Sequence, residues 1–148
     1  MKKLAGKVAI VTGGGQGVGL GVATAMAEAG ASLVLTGRNK DKLEQAAETL
    51  RAQAVEVLTL TSDVRSRASA NEVIAACVNH FGRLDVLVNN AQSTVTGVAL
   101  EDYTDDQIAL ILESGFFGTL YHMQAAYPHL RKTRGAIINF GSREGVVG

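Results

Sequence analysis

TGGGQGVG, residues 12–19, follows the apolar run KVAIVT (7–12) and leads directly into a stretch with helical periodicity. A glycine-rich turn at such a junction has two readings. One is a tight strand-to-helix turn, which favours glycine for its backbone freedom. The other is a phosphate cradle, in which glycine lets the backbone approach a pyrophosphate and the helix N-terminus supplies unpaired N–H groups and partial positive charge. No lysine followed by Ser or Thr closes the loop, so it is not the loop of a nucleotide triphosphatase. No register of 13–22 gives G-x-G-x-x-G either; the spacing is Gly13, Gly17, Gly19.

Outward from the loop, short apolar strands alternate with amphipathic helices. Strands are expected at 7–12, 31–37, 55–60, 83–90 and 135–141. The first helix is expected to carry Val18, Val22, Met26 and Ala29 on one face and to stop at Gly30. The second, from about Asp41, turns Leu43, Ala46, Ala47 and Leu50 inward, and the third runs through Val73, Cys77 and Phe81 to Gly82. Thr104 and Gln107 form a capping-box pair at the start of a long helical stretch through Ile108, Ile111, Phe116, Leu120 and Met123. Pro128 predicts its end, and Gly115 and Gly118 allow a break midway. Strands this apolar need helices over both faces, which predicts an α/β fold: a doubly wound, Rossmann-like parallel sheet with five strands.

A chain of 148 residues, 47% hydrophobic, is long enough for one domain with a real core. Its 14 basic and 14 acidic residues balance, and no basic stripe or block of like charge points to nucleic acid or a membrane surface. The N-terminal MKKLAGKVAIVTGGG has an apolar run too short for a signal-peptide core or a membrane span, which predicts a cytoplasmic protein. Cys77 is the single cysteine, so neither an internal disulfide nor a multi-cysteine metal site is expected; its neighbours make it a small core residue. His80, His122 and His129 have no paired ligand spacing and read as surface or packing residues, with no metal site expected.

The T-G-x-x-x-G-x-G spacing resembles that of the short-chain dehydrogenase/reductase family. Further landmarks fall in order: Asp63-Val64 after the third strand, Asn89-Asn90-Ala91 after the fourth, and IINFGS (137–142) after the fifth. The resemblance implies an oxidoreductase that transfers hydride between a nicotinamide and a ketone or secondary alcohol. It makes Gly13, Gly17 and Gly19 the glycines of the cofactor loop, with Gly15, Gln16 and Val18 along the phosphates. It pairs Asp63 with the adenine amine, lays Val64 beside the ring, and runs Asn90 and Ala91 beside the adenosine ribose, where they also steady the central sheet. Read without the family, Asp63 is a solvated turn carboxylate and Asn90 a structural amide.

At the end of the second strand an acidic residue would hold the ribose 2′-OH of NAD. The residues there are Thr36-Gly37-Arg38-Asn39: glycine stands in place of the acid, and Arg38 offers a forked guanidinium to a 2′-phosphate. This favours NADP(H) over NAD(H), although Gln16 stands where many NADP-preferring relatives are basic. The resemblance makes Ser142 the serine that orients the substrate carbonyl; read alone, it caps a turn at a strand end.

The family's tyrosine and lysine, four residues apart, have no match among the 148 residues. Tyr103, Tyr121 and Tyr127 are followed four residues later by Gln107, Ala125 and Arg131. The expectation is one dinucleotide-binding domain over 1–148 that stops before that segment and is inactive alone. Two departures from the family pattern stand out: Gln92 follows Asn89-Asn90-Ala91, and Gly115 occupies the position of the family's helical asparagine. In relatives the long helix pairs across a subunit interface, so a homodimer or homotetramer acting on a small carbonyl or alcohol is expected. The alternatives are a non-catalytic dinucleotide-binding module and a methyltransferase-like α/β domain; Ser142 and Asn89-Asn90-Ala91 argue against the latter.

Overall fold

The computed structural model describes residues 2–141. Five strands, β1 (Val8–Thr12), β2 (Ser32–Gly37), β3 (Val57–Thr61), β4 (Val86–Asn89) and β5 (Ala136–Asn139), form one sheet in the order β3-β2-β1-β4-β5. Every pairing is parallel, with Ile10 opposite Val34 on one side and Leu87 on the other. The chain therefore winds outward from β1 to β3, then crosses to the other side of β1. That reversal creates a switch point between β1 and β4, where the loops that leave them diverge to opposite faces.

Strand alternation divides the core in two. Ala9, Val11, Leu33 and Leu35 point to one face, where α1 (Gly17–Glu28) and α2 (Lys40–Arg51) cover them through Ala23, Ala27, Leu43, Ala47 and Leu50. Val8, Ile10, Val34 and Leu87 point to the other, covered by α3 (Arg67–Phe81) and, beyond α4 (Asp105–Ile111), by α5 (Gly118–Thr133). Cys77 is fully buried in that second layer, and burial, with Asp85 nearby, pushes its thiol pKa up to about 12. His122 is also buried, its Nδ1–H donating to the Gly118 carbonyl, and desolvation holds its pKa below the usual histidine value.

Four details differ from the sequence expectation. The centre of the α1 face against the sheet is Gly19, Ala23 and Ala27; of the expected residues, Val22 and Met26 pack at its edge, and Val18 does not. Small residues win because the helix starts almost in contact with the loop before it, and Val18 is left 62% exposed. β3 begins at Val57 rather than Val55, because the turn after α2 passes through Ala54 with φ +60°. β4 starts at Val86, since Arg83 and Asp85 serve the clamp described below. Pro128 lies inside α5 rather than at its end. It and Gln124, whose carbonyl loses its helical donor, both sit on the exposed side of the helix, so the lost bond is not a buried one.

At the N-terminal ends of β1 and β4, the buried Asp85 gathers the strands. Its carboxylate accepts from the Val8 N–H at 3.0 Å, from Arg83 at 2.6 and 2.7 Å, and from Lys7 at 3.2 Å. Its backbone carbonyl accepts from Ala136 at 2.9 Å, and any side chain on Gly135 would overlap that carbonyl. Burial pushes the Asp85 carboxyl pKa up, but Arg83, the Val8 N–H and Lys7 outweigh it and hold the pKa below the ordinary value.

Asp85→Ala leaves a buried N–H unpaired and should cost about 2–3 kcal/mol in urea unfolding of the intact protein. Because the folded-state pKa is depressed, the stabilisation is present above the unfolded carboxylate pKa and is lost as pH falls through the folded value, below about pH 4. Asp85→Asn should accordingly flatten the acid limb of stability. Variants as stable as the wild type at neutral pH would contradict this role.

Candidate functional site: a cleft at the sheet's switch point

The loops leaving β1, β2, β3 and β4 border a cleft of about 530 Å³. Its floor is the turn 13–19. Gly13 and Gly17 adopt φ of +67° and +55°, which residues with a Cβ rarely reach. A Cβ on Gly13 would lie 2.8 Å from the Asn90 amide nitrogen, and one on Gly19 would overlap the Gly13 carbonyl oxygen. A Cβ on Gly17 would meet nothing, so that backbone faces open space at the start of α1. The three glycines thus have three uses: turn, open approach, and close packing.

A hydrogen-bonded knot holds this turn to β4. The Thr12 hydroxyl accepts from the Asn90 and Ala91 N–H groups, each at 3.0 Å, and donates to the Val88 carbonyl at 3.4 Å. The Asn90 side-chain amide donates back to the Thr12 carbonyl at 3.0 Å and the Gly13 carbonyl at 3.5 Å. Asn90 therefore commits its amide to the scaffold, while it and Ala91 still line the cleft.

Gly37, Arg38, Asn39 and Lys42 form one end of the cleft, with Ser62, Asp63 and Val64 beside them. The Asp63 carboxylate is gripped through both oxygens by Arg65 at 2.6–3.1 Å, which lowers its pKa, with a smaller push from Arg38. Arg38 itself has no ion pair among the described residues. Ser62 lines the cleft, and its buried hydroxyl has no hydrogen-bond partner among the described residues. On the α2 side, Gly15 allows close packing, since a Cβ there would lie 3.2 Å from the Leu43 nitrogen.

The other end holds Ala91, Gln92, Ser93 and Ser114. Between α4 and α5 the helix widens into a π turn over Leu112–Phe117, a feature frequent at functional sites. The buried Ser114 hydroxyl donates to the Leu110 carbonyl at 2.8 Å and accepts from the Ser93 N–H at 2.9 Å. It satisfies a carbonyl freed by the wide turn and ties the turn to the loop after β4. Beside it, a side chain on Gly115 would find open space. Ser142 lies outside the described residues.

Residues 7–148 match the family model described as short chain dehydrogenase. The chain belongs to the short-chain dehydrogenase family. It is 45% identical over 150 residues to a 12alpha-hydroxysteroid dehydrogenase of a Clostridium species, covering 97% of this chain and 58% of that protein. An Arabidopsis thaliana 11-beta-hydroxysteroid dehydrogenase-like protein is 38% identical, over 99% of this chain and 48% of its own length. Among solved structures, an NAD+-bound xylitol dehydrogenase superposes with a TM-score of 0.95 at 32% identity, over 99% of this chain and 57% of that one. An alcohol dehydrogenase from Thermococcus sibiricus, complexed with 5-hydroxy-NADP, gives 0.85 at 32% identity, over 88% and 56%. The chain thus spans about half the length of the curated relatives it matches.

The short-chain dehydrogenase landmarks converge on one cleft: of the residues expected to hold cofactor, Gly13, Gly15, Gln16, Gly17, Val18, Arg38, Asp63, Val64, Asn90 and Ala91 line it. Gly19 does not line it, because its role is to let α1 pack on the turn. Lys42, Ser62, Ser93 and Ser114 line it as well, and no sequence pattern points to them. Nothing local marks these four, since each reaches the cleft through a contact made by folding.

Gly19→Ala should destabilise the protein by about 1–3 kcal/mol through overpacking. Asn90→Ala removes the bonds to Thr12 and Gly13 and should cost about 1–3 kcal/mol. Thermal melts test both; an unchanged Gly19→Ala melt would show that α1 is not packed on the turn.

Proposed function

We propose that the intact protein is an NADP(H)-dependent oxidoreductase that transfers hydride between the nicotinamide and a ketone or secondary alcohol. The observation that carries the cofactor choice is Arg38, free of ion pairs among the described residues, at the end of β2 and bordering the cleft where glycine replaces an acid. The donor set fits a dinucleotide: an open glycine backbone for the pyrophosphate, a partnerless buried Ser62 hydroxyl near the adenine end, and Arg38 for a 2′-phosphate. Gly13, Gly15, Gln16, Gly17 and Val18 would border the phosphates, Gly19 would back them, Asp63 and Val64 would flank the adenine, and Asn90 and Ala91 the adjoining ribose.

A nicotinamide bound there would supply or accept the hydride. Ser142 orients the substrate oxygen, and Ser114, through Ser93, holds the loop that borders the nicotinamide end of the cleft. The proton is moved by a tyrosine tuned by a lysine four residues later. That pair is not among these 148 residues, so the reaction is proposed for a protein that carries it. Hydroxysteroids are the first substrates to try, on the strength of the relatives. We further propose that the protein is a dimer or tetramer through the π turn and α5. Leu112, Phe116, Phe117 and Tyr127 stand 42–61% exposed there, more apolar surface than a helix facing water carries.

Titration of the intact protein should show NADPH bound about 10- to 150-fold more tightly than NADH, with the difference largely lost in Arg38→Ala. Equal affinities in the wild type would overturn the cofactor assignment. In NADPH-consumption assays with ketones, including oxosteroids, residues 1–148 alone should run about 10²–10⁴-fold slower than a chain that includes the Tyr-Lys pair. Comparable rates would mean that another residue moves the proton, and binding without turnover in either would favour a non-catalytic dinucleotide-binding module. Light scattering should give a dimer or larger at micromolar concentration, shifted toward monomer by Phe116→Glu; a wild-type monomer would refute the interface.

A further inference from the structure

The cleft end beyond Arg38 contains a second cation whose position the proposed cofactor choice does not use. Lys42, in the first turn of α2, directs its ammonium to the Gln16 side-chain oxygen at 2.5 Å, a contact between residues 26 apart in sequence. Both residues line the cleft with Arg38 and Asn39. The backbone of Lys42 is fixed in turn, because its N–H donates to the Asn39 side chain that caps α2. Gln16 thus brings a neutral loop position into contact with a cation contributed by another element.

The surrounding charges leave that cation uncompensated. Among the described residues, no carboxylate lies within salt-bridge distance of Lys42 or Arg38. Among the described residues the one acid lining the cleft, Asp63, has both oxygens held by Arg65. Asp41, the acid in the first turn of α2, does not line it. A phosphate monoester carries about 1.5–2 negative charges at neutral pH, with three strong acceptor oxygens. Arg38 alone would leave nearly half of that charge unbalanced. An ammonium has three donors, of which Gln16 takes one.

We propose that Lys42 is a specificity-determining residue: held by Gln16, it is the second cation of a subsite for the ribose 2′-phosphate, acting with Arg38. This rests on the NADP(H) reading above and extends it from one residue to a pair of cations on two elements. Gln16, neutral where a basic residue would serve an NADP site directly, is then a holder for a borrowed cation rather than an argument against NADP.

The test compares adenosine 2′,5′-bisphosphate with adenosine 5′-monophosphate, ligands that differ only in the 2′-phosphate, by calorimetric titration of the intact protein. Lys42→Ala should weaken the bisphosphate about 5- to 20-fold and leave the monophosphate within about twofold. Lys42→Arg should retain the preference, Gln16→Ala should lose some of it, and the wild-type preference should shrink with added salt. A wild-type protein that prefers neither ligand would bring down the NADP(H) reading and this proposal together. A wild-type preference that Lys42→Ala leaves intact would overturn the role of Lys42 alone. Equal weakening of both ligands would overturn it too, because the lysine would then be shaping the loop rather than reading the phosphate.

Discussion

The fold and its cleft both depend on the knot between Thr12 and Asn90. Where a parallel sheet reverses its winding direction, the loops leaving two neighbouring strands turn to opposite faces, and here those strands are β1 and β4. Without a tie, these loops would be free to separate. Thr12 and Asn90 prevent this with reciprocal hydrogen bonds across the strand ends, each side chain bonding the other's backbone. Once joined, the Gly13 turn sits so close to Asn90 that no side chain fits at either Gly13 or Gly19. The open backbone at Gly17 is the consequence, as α1 can begin only from a turn pressed against β4.

The two ends of the cleft differ in charge. At the β2–α2 end, Arg38 and Lys42 line it without carboxylate partners among the described residues, and Asp63 is paired with Arg65. At the other end the lining side chains are the neutral Gln92, Ser93 and Ser114. A dinucleotide with a phosphate on its adenosine ribose matches that polarity, its extra anionic charge at one end and the nicotinamide at the other. Opposite the cleft, Asp85 fastens β1, β4 and the start of β5 at their N-terminal ends. The central strands are thus tied at both ends, and the cleft inherits a rigid base.

Much of this is legible in the sequence, and the misreadings share a cause. Strand and helix order follow from periodicity, and the capping box at Thr104 and Gln107 forms as its residues predict, because local patterns report local structure. The centre of the α1 face is misread when apolar size is taken as the signal: contact at this distance from the sheet selects Gly19, Ala23 and Ala27, and Val22 and Met26 pack only at its edge. Pro128 is misread as a stop because sequence does not reveal which side of a helix faces water. In the site, the glycine turn, Arg38 and Asp63 are legible from their places at strand ends. Lys42 with Gln16, and Ser114 with Ser93, are not: each pair joins residues more than 20 positions apart, and neither partner is unusual alone.

The central claim is that this cleft is a dinucleotide site with its phosphate-bearing adenosine ribose at the Arg38 end. A crystal structure of the intact protein with NADPH tests it most directly. The account predicts the pyrophosphate over the Gly17 backbone at the start of α1, the 2′-phosphate between Arg38 and Lys42, and the nicotinamide toward Gln92 and Ser93. NADPH bound in the reverse direction, or lodged away from the glycine turn, would contradict it.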